Sequence, residues 1–314
     1  MNSELENLVW DLRFRPKTVA DTILPAATKQ MIIDVMNSRK IPNFLFHGTS
    51  GVGKTTLARA IASELDADVL FINASLDAGI DILRTTVTQF VSTVSFTDSK
   101  KIVLMDEADF LHPLHIQPAL RGFLDEFSSN AIFILTCNHK HRIITPLLSR
   151  LTLVDFKFSK EEKQSAAMGM LKRCCQILDS ESIEYDKKSV AGVVTKNFPD
   201  FRKTLGELQR YSTSGIIDSG ILAQSDGGNI SELVKLIKGK DFNKCRAWVA
   251  NNQMDSSTFY RSLYDRMLPE LVNVSIPDII LMIADSQYQS SHSVDLEINQ
   301  IAAIIKIMQS AVWK

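Results

Sequence analysis

The chain is poor in cysteine, nearly without net charge, and free of long apolar runs. Only four of its 314 residues are cysteine: Cys137, Cys174, Cys175 and Cys245. No two stand in C-x-x-C spacing and no histidine pair completes a tetrahedral set, so reduced thiols are expected rather than zinc. Lys and Arg number 35 against 36 Asp and Glu. No global basic field therefore advertises nucleic acid, although a local basic surface fits the same total. No apolar stretch is long enough to span a bilayer. The opening MNSELENLVW is acidic and polar, unlike a secretory signal. A cytoplasmic location and no membrane partner are the expectation. There is no internal repeat and no low-complexity tract. The length allows two or three domains.

What is present in the first half is alternation of strand and helix patterns. NFLFHG, DVLFINAS, KIVLMDEAD and AIFILTCN are apolar runs of strand length. Runs apolar throughout suggest strands buried on both faces, hence a parallel sheet with helices on both sides. After Phe158 the texture becomes helical. SKEEKQSAAMGMLKRCCQIL opens with a Ser cap and acidic residues in its first turn. KSVAGVVTKNF and FRKTLGELQRYS add two helices, predicting a small all-helical domain. SDGGN, Ser225 to Asn229, reads as a break. Beyond it ISELVKLIKG, DFNKCRAWVANN, STFYRSLYDRML and SVDLEINQIAAIIKIMQSAVW predict a third, helical domain. The expected boundaries are 1–158, 159–226 and 227–314.

GTSGVGKT, Gly48 to Thr55, fits G-x-x-x-x-G-K-[ST] between a strand pattern and a helix pattern, the context this motif requires. The backbone of Thr49, Ser50, Gly51, Val52 and Gly53 can wrap phosphates, and the helix that begins beside Thr56 adds its dipole. Lys54 is expected to neutralise the β- and γ-phosphates and Thr55 to hold Mg²⁺. KIVLMDEAD supplies Asp106 as the second metal residue and Glu107 as candidate base for the attacking water. DEAD alone would suggest an RNA helicase. The second nucleotide-type domain such an enzyme needs is missing, because the chain turns helical after Phe158. Asn138 ends its strand and either orients water beside Glu107 or caps a helix. Asn73 raises the same question. Arg150 stands at the mouth of the strand-like segment Leu151 to Phe158.

Taken together these motifs resemble the AAA+ ATPases. LRFRPKTVADTI, FINASLDAGIDILR, DEAD, TCN, LSR and FPDFRKTLGELQ follow the order of replication sliding-clamp loader subunits. Length, KNFPDFRKTLGEL and the final Trp313-Lys314 resemble the large ATPase subunit of tailed-phage (T-even-like) loaders most nearly. The resemblance implies an α/β AAA+ core, a helical lid and an all-helical collar that joins subunits. It implies an ATPase stimulated by DNA and clamp, using ATP and Mg²⁺. Arg15 and Pro16 then lie near adenine, Asn138 is the first sensor, and Arg202 is the second sensor on the γ-phosphate. Arg150 becomes a finger acting in trans on a neighbour's ATP. Asn73 restrains Glu107 until DNA arrives, and Gly79, Ile80 and Arg84 form a helix start that faces DNA phosphates. The sequence departs from the family at Leu151, where Cys is usual, and at Leu76, an extra residue in NASLD.

The implied partners are a sliding clamp, primer–template DNA, other copies of the chain and a smaller, non-identical loader subunit, together a pentamer. If the chain is phage-encoded, the location is the host cytoplasm. Leu83, Val87, Phe90 and Val94 are spaced as one apolar stripe. It reads as core packing, or in part as a tip bearing Phe90 and Val91 that enters a clamp pocket. The alternatives are a branch-migration helicase or a protein-remodelling ATPase, both built as six-membered rings.

Overall fold

The computed structural model describes residues 8–38, 40–76, 79, 81, 83–93, 100–213, 215–218, 230–252 and 254–314, except the side chains of Leu83 and Arg84. The chain divides into two compact units, residues 1–218 and 219–314. In the first, α1 (Trp10–Arg13) and α2 (Ala26–Ser38) precede β1 (Phe44–His47). Then come α3 (Lys54–Glu64), β2 (Asp68–Asn73), a π-helical turn (Leu83–Val87) and α4 (Thr88–Ser92). β3 (Lys101–Asp106), α5 (Ile116–Glu126), β4 (Ala131–Cys137), α6 (Thr145–Leu148) and β5 (Thr152–Asp155) complete the α/β part.

All five strands are parallel, in the order β2-β3-β4-β1-β5. The period of two along each strand splits its apolar residues between two cores. Phe44, Phe46, Ile102, Leu104 and Ile134 pack with Ile32 of α2 and with Leu57 and Ile61 of α3. Leu45, Val103, Met105, Phe133 and Leu135 pack with Val87, Val91, Leu120, Leu124 and Leu147 on the other side. The doubly covered sheet expected from unbroken apolar runs is therefore present at β1, β3 and β4. At β2 the expectation needs correction. This strand is the sheet's edge, and Val69 and Phe71 remain about two-fifths exposed. The guanidinium of Arg59 on α3 lies 4.8 Å over the Phe71 ring and partly covers it.

α7 (Lys160–Ser180), β6 (Glu184–Tyr185), α8 (Lys187–Asn197), α9 (Phe201–Ser212) and β7 (Ile216–Ile217) finish the first unit. Ser159 caps α7 as expected: its hydroxyl accepts the Glu162 N–H while Glu162 accepts the Ser159 N–H. This region is not all-helical, because β6 and β7 pair in parallel. Two-residue strands leave no readable period in a sequence.

The second unit holds α10 (Ile230–Lys238), α11 (Phe242–Asn251), α12 (Ser256–Met267), α13 (Ile276–Ser290) and α14 (Leu296–Ser310) around its own core. α13 was not among the expected helices. Its second residue is Pro277, a residue tolerated in a first turn, where the missing N–H would have no partner anyway. Trp313 forms an antiparallel bridge with Leu271, and Lys238 lies over its ring at 5.6 Å.

Candidate nucleotide site

Parallel order brings the carboxyl ends of β1, β3 and β4 together, the place where open α/β sheets bind ligands. The loop from β1 to α3 turns through Gly51 and Gly53, whose φ values of 76° and 96° favour glycine. At Gly51 a Cβ would also run into the carboxylate of Asp200. The Gly51 carbonyl accepts the Phe201 N–H at 3.0 Å, so the loop touches the first turn of α9.

Lys54 opens α3 and is buried. Its Nζ donates to the carbonyls of Gly48 (2.8 Å) and Thr49 (2.7 Å) and to Asn138 Oδ1 (2.8 Å). All three acceptors are neutral, and among the described residues no carboxylate is within ion-pair distance. Burial pushes the Lys54 pKa down, which Asp106 and Asp109 partly offset. A buried cation surrounded by neutral oxygens fits an arriving polyphosphate.

Asp106 ends β3. Its Oδ1 accepts hydroxyl hydrogens from Thr55 (2.7 Å) and Thr136 (2.5 Å). The carboxylate of Asp106 and the hydroxyl of Thr55 form a set of hard oxygens that fits Mg²⁺. Glu107 follows with a left-handed backbone, φ 57° and ψ 40°, and its N–H donates to Thr136 Oγ1 at 3.2 Å. Asp109, the last acid of DEAD, is buried and accepts the His139 N–H at 3.0 Å, which ties down the loop after Asn138. Cys137 shares this pocket, and burial pushes its thiol up to about 12, which disfavours the nucleophilic thiolate.

Across the loop, Phe201, Arg202 and Leu205 of α9 line the same pocket. Arg202 Nε lies 3.2 Å from Asp11 Oδ2 on α1, so the arginine is engaged at the rim. Arg15 and Pro16 line the other end, with Ile23, Leu24, Met170 and Ile177 as an apolar floor. Arg173 donates to the Phe14 carbonyl at 3.0 Å and joins α7 to that segment.

Most of the expected nucleotide residues thus converge: Arg15, Pro16, Ser50 to Thr56, Asp106, Glu107, Asn138 and Arg202. Two refinements apply. Thr49 contributes its carbonyl to Lys54, and Val52 has its side chain in the core, so only backbone is available there. Asn138 pairs with Lys54 and caps no helix. Asn73 Oδ1 accepts from the N–H and hydroxyl of Ser75, and no hydrogen bond joins it to Glu107.

Other expected residues lie outside the pocket. Arg150 follows α6, with Nε 2.7 Å from Asp125 Oδ1 and a second donor on the Pro146 carbonyl. Gly79 is exposed. Ile80 and the Arg84 side chain lie outside the described residues. Val91 must be corrected. It is 2% exposed in the core beneath the sheet, and a side chain already enclosed there is not presented to a clamp. Phe90 packs partly on the same core, under the ammonium of Lys101.

The fold and this constellation define a P-loop ATPase of the AAA+ class. Residues 44–159 match the family model described as "ATPase family associated with various cellular activities (AAA)". The chain is 33% identical to the sliding-clamp-loader large subunit of Escherichia phage RB69, over 98% of its own length and 97% of the relative's. It is also 33% identical to that of Enterobacteria phage T4, over 99% of both chains. The chain belongs to the sliding-clamp-loader large-subunit family, and it is an ATP hydrolase. Residues 162–223 match the model of that family's AAA+ ATPase lid domain. A replication factor C small subunit from Saccharolobus solfataricus is 31% identical over 78% of this chain and 76% of its own. A RuvB variant of Thermotoga maritima aligns with a TM-score of 0.56 at 16% identity, over 77% of this chain and 86% of that one, a likeness of fold alone.

The sequence reading missed Thr136, Asp11 and the apolar floor. Thr136 left a signal: a hydroxyl inside AIFILTCN, an otherwise apolar buried run, needs a hydrogen-bond partner. The floor comes from separate segments and has no local pattern.

Proposed function

We propose that the chain is the ATP-driven motor of a sliding-clamp loader. It would assemble with other copies of itself and a smaller, non-identical subunit into a pentamer that grips a ring clamp and primer–template DNA in the host cytoplasm. One observation carries the reading. Lys54, Asp106, Glu107 and Asn138 meet at one end of the sheet, in a chain similar to loader large subunits over 98% of its length.

Lys54 and the loop backbone hold the phosphates of ATP, and Arg15 and Pro16 border its base. Thr55 and Asp106 would hold Mg²⁺, which supplies charge neutralisation on the β- and γ-phosphates. Glu107 takes the proton of the attacking water, which Asn138 helps to orient. Arg202 leaves Asp11 for the γ-phosphate, and Arg150 completes the neighbour's site. Asn73 ends β2 in register with Asp106 and restrains Glu107 until DNA arrives, a role that requires its amide to turn from Ser75. Gly79, Ile80 and Arg84 are assigned to DNA phosphates and Phe90 to the clamp. DNA is read through its backbone, because a loader must accept any primer sequence.

The test is the ATPase rate of the reconstituted loader with and without primed DNA and a ring clamp. Strong stimulation by both together is expected. A rate indifferent to both would assign the hydrolysis to another task.

A further inference from the structure

One hydroxyl in the pocket joins the two acids of the site. Thr136 lies on β4 between β3 and β1, and is 1% exposed. Its position in the strand's alternation turns it to the same face as Ile134, toward α3 and the phosphate loop. A threonine hydroxyl has one hydrogen to give and lone pairs to accept. Here the hydrogen goes to Asp106 Oδ1 at 2.5 Å, and a lone pair takes the Glu107 N–H at 3.2 Å.

Both bonds act where the backbone is least free to settle alone. Glu107 is in the left-handed region, at φ 57°. For a residue with a Cβ such a conformation costs roughly 1–3 kcal/mol and persists only where its surroundings hold it. Through the Glu107 N–H, the Thr136 acceptor fixes the Asp106–Glu107 peptide plane from which this turn departs. Asp106 has a second hydroxyl partner, Thr55 at 2.7 Å, but Thr55 is carried by the helix after the phosphate loop. Thr136 is carried by the sheet. It is the partner of Asp106 that a movement of the loop does not disturb.

We propose that Thr136 is a positioning residue for hydrolysis: through one oxygen it fixes the metal-side acid and the base at a set separation. The proposal rests on the reading of Glu107 as the base. The Thr136 hydroxyl is committed to Asp106 and the Glu107 N–H. Its removal should therefore spare the grip on ATP, which belongs to Lys54 and the loop, and slow the chemical step.

The experiment compares Thr136→Val, Thr136→Ser and Glu107→Gln in the full chain, assembled with its partner subunit, clamp and primed DNA. Thr136→Val keeps the volume and deletes the hydroxyl. It should lower kcat by about tenfold or more, the scale of a small misplacement of a catalytic group. Its affinity for a fluorescent ATP analogue should stay within about twofold, by the same separation of binding from chemistry. Thr136→Ser should recover most of the turnover. Thr136→Val added to Glu107→Gln should slow it no further, since both act on one step. Should Thr136→Val melt below the assay temperature, Thr136→Cys replaces it, with a thiol that is only a weak donor, and must show the same loss. A dead Glu107→Gln beside a Thr136→Val of normal kcat overturns the proposal and leaves the base in place. An active Glu107→Gln overturns the base first, and the proposal with it.

Discussion

Lys54 and Glu107 share one pocket and have separable tasks. Lys54 is a buried ammonium with three neutral oxygen partners, held there by the fold of the loop. Asp106 and Asp109 offset its burial only in part, which leaves the ammonium poised for phosphate. Lys54→Ala should lower ATP affinity at least about thirtyfold, since removing one side of a desolvated charge pair costs about 2–5 kcal/mol. Glu107 lines the pocket, is anchored by its backbone through Thr136 and Phe110, and has the proposed task of taking a proton from water. Glu107→Gln should bind ATP normally and turn over about a hundredfold slower or worse, the range of a lost general base. Equilibrium binding and single-turnover hydrolysis, measured on both variants, separate the roles. Hydrolysis at the normal rate in Glu107→Gln would remove it as the base. At this scale much of the site was readable, because phosphate chemistry demands fixed residue types at fixed spacing in GTSGVGKT and DEAD. Asp11 was not readable. Its partner Arg202 lies in another segment, and an ion pair between distant segments leaves no mark in either one.

Elements were legible in proportion to how far burial shaped them. β1, β3 and β4 are covered on both faces, so their apolar runs were unambiguous. β2 carries the same kind of run but lies at the edge, and periodicity cannot say which strand ends up outermost. α13 escaped because a proline and an unbroken apolar run hide its helical period. Gln117 on α5 shows what packing adds. It is fully buried. Its amide donates to the carbonyls of Leu111 (2.9 Å) and Arg142 (3.0 Å), and its Oε1 accepts the Ile144 N–H at 2.8 Å. One side chain thus ties the segment after Glu107 to the segments on either side of Ile143. Gln117→Ala would leave three main-chain groups without partners and open a cavity. A loss of about 2–4 kcal/mol is expected, from unmet buried hydrogen bonds at roughly 1–3 kcal/mol each and partial relaxation. Urea unfolding of the full chain, followed by fluorescence, measures it. A change below about 0.5 kcal/mol, the range of an ordinary surface substitution, would mean that water replaces the amide.

At the scale of the molecule the question is whether one chain owns a whole site. Among the described residues lining the pocket, Arg150 is absent. It sits where α6 gives way to β5, the outer strand on the side opposite β2. Asp125 accepts from its Nε and raises its pKa, while Nη1 donates to the Pro146 carbonyl and the side chain stays partly exposed. A cation displayed there can serve a neighbour's phosphate, and its own pocket keeps Lys54, Thr55 and Arg202. Arg150→Ala should therefore bind ATP normally and lose hydrolysis in the assembled ring, by about 10³ to 10⁵ where an arginine acts as a finger. Mixing is the decisive measurement. In rings built from Arg150→Ala and Lys54→Ala chains, one kind of interface pairs an intact Lys54 with an intact Arg150, and the opposite kind lacks both. Each variant alone should be inactive, and the mixture should regain part of the activity in proportion to the complete interfaces. If mixed rings form and stay inactive, or if Arg150→Ala alone hydrolyses ATP normally, Arg150 belongs to its own surface and the site is complete within one chain.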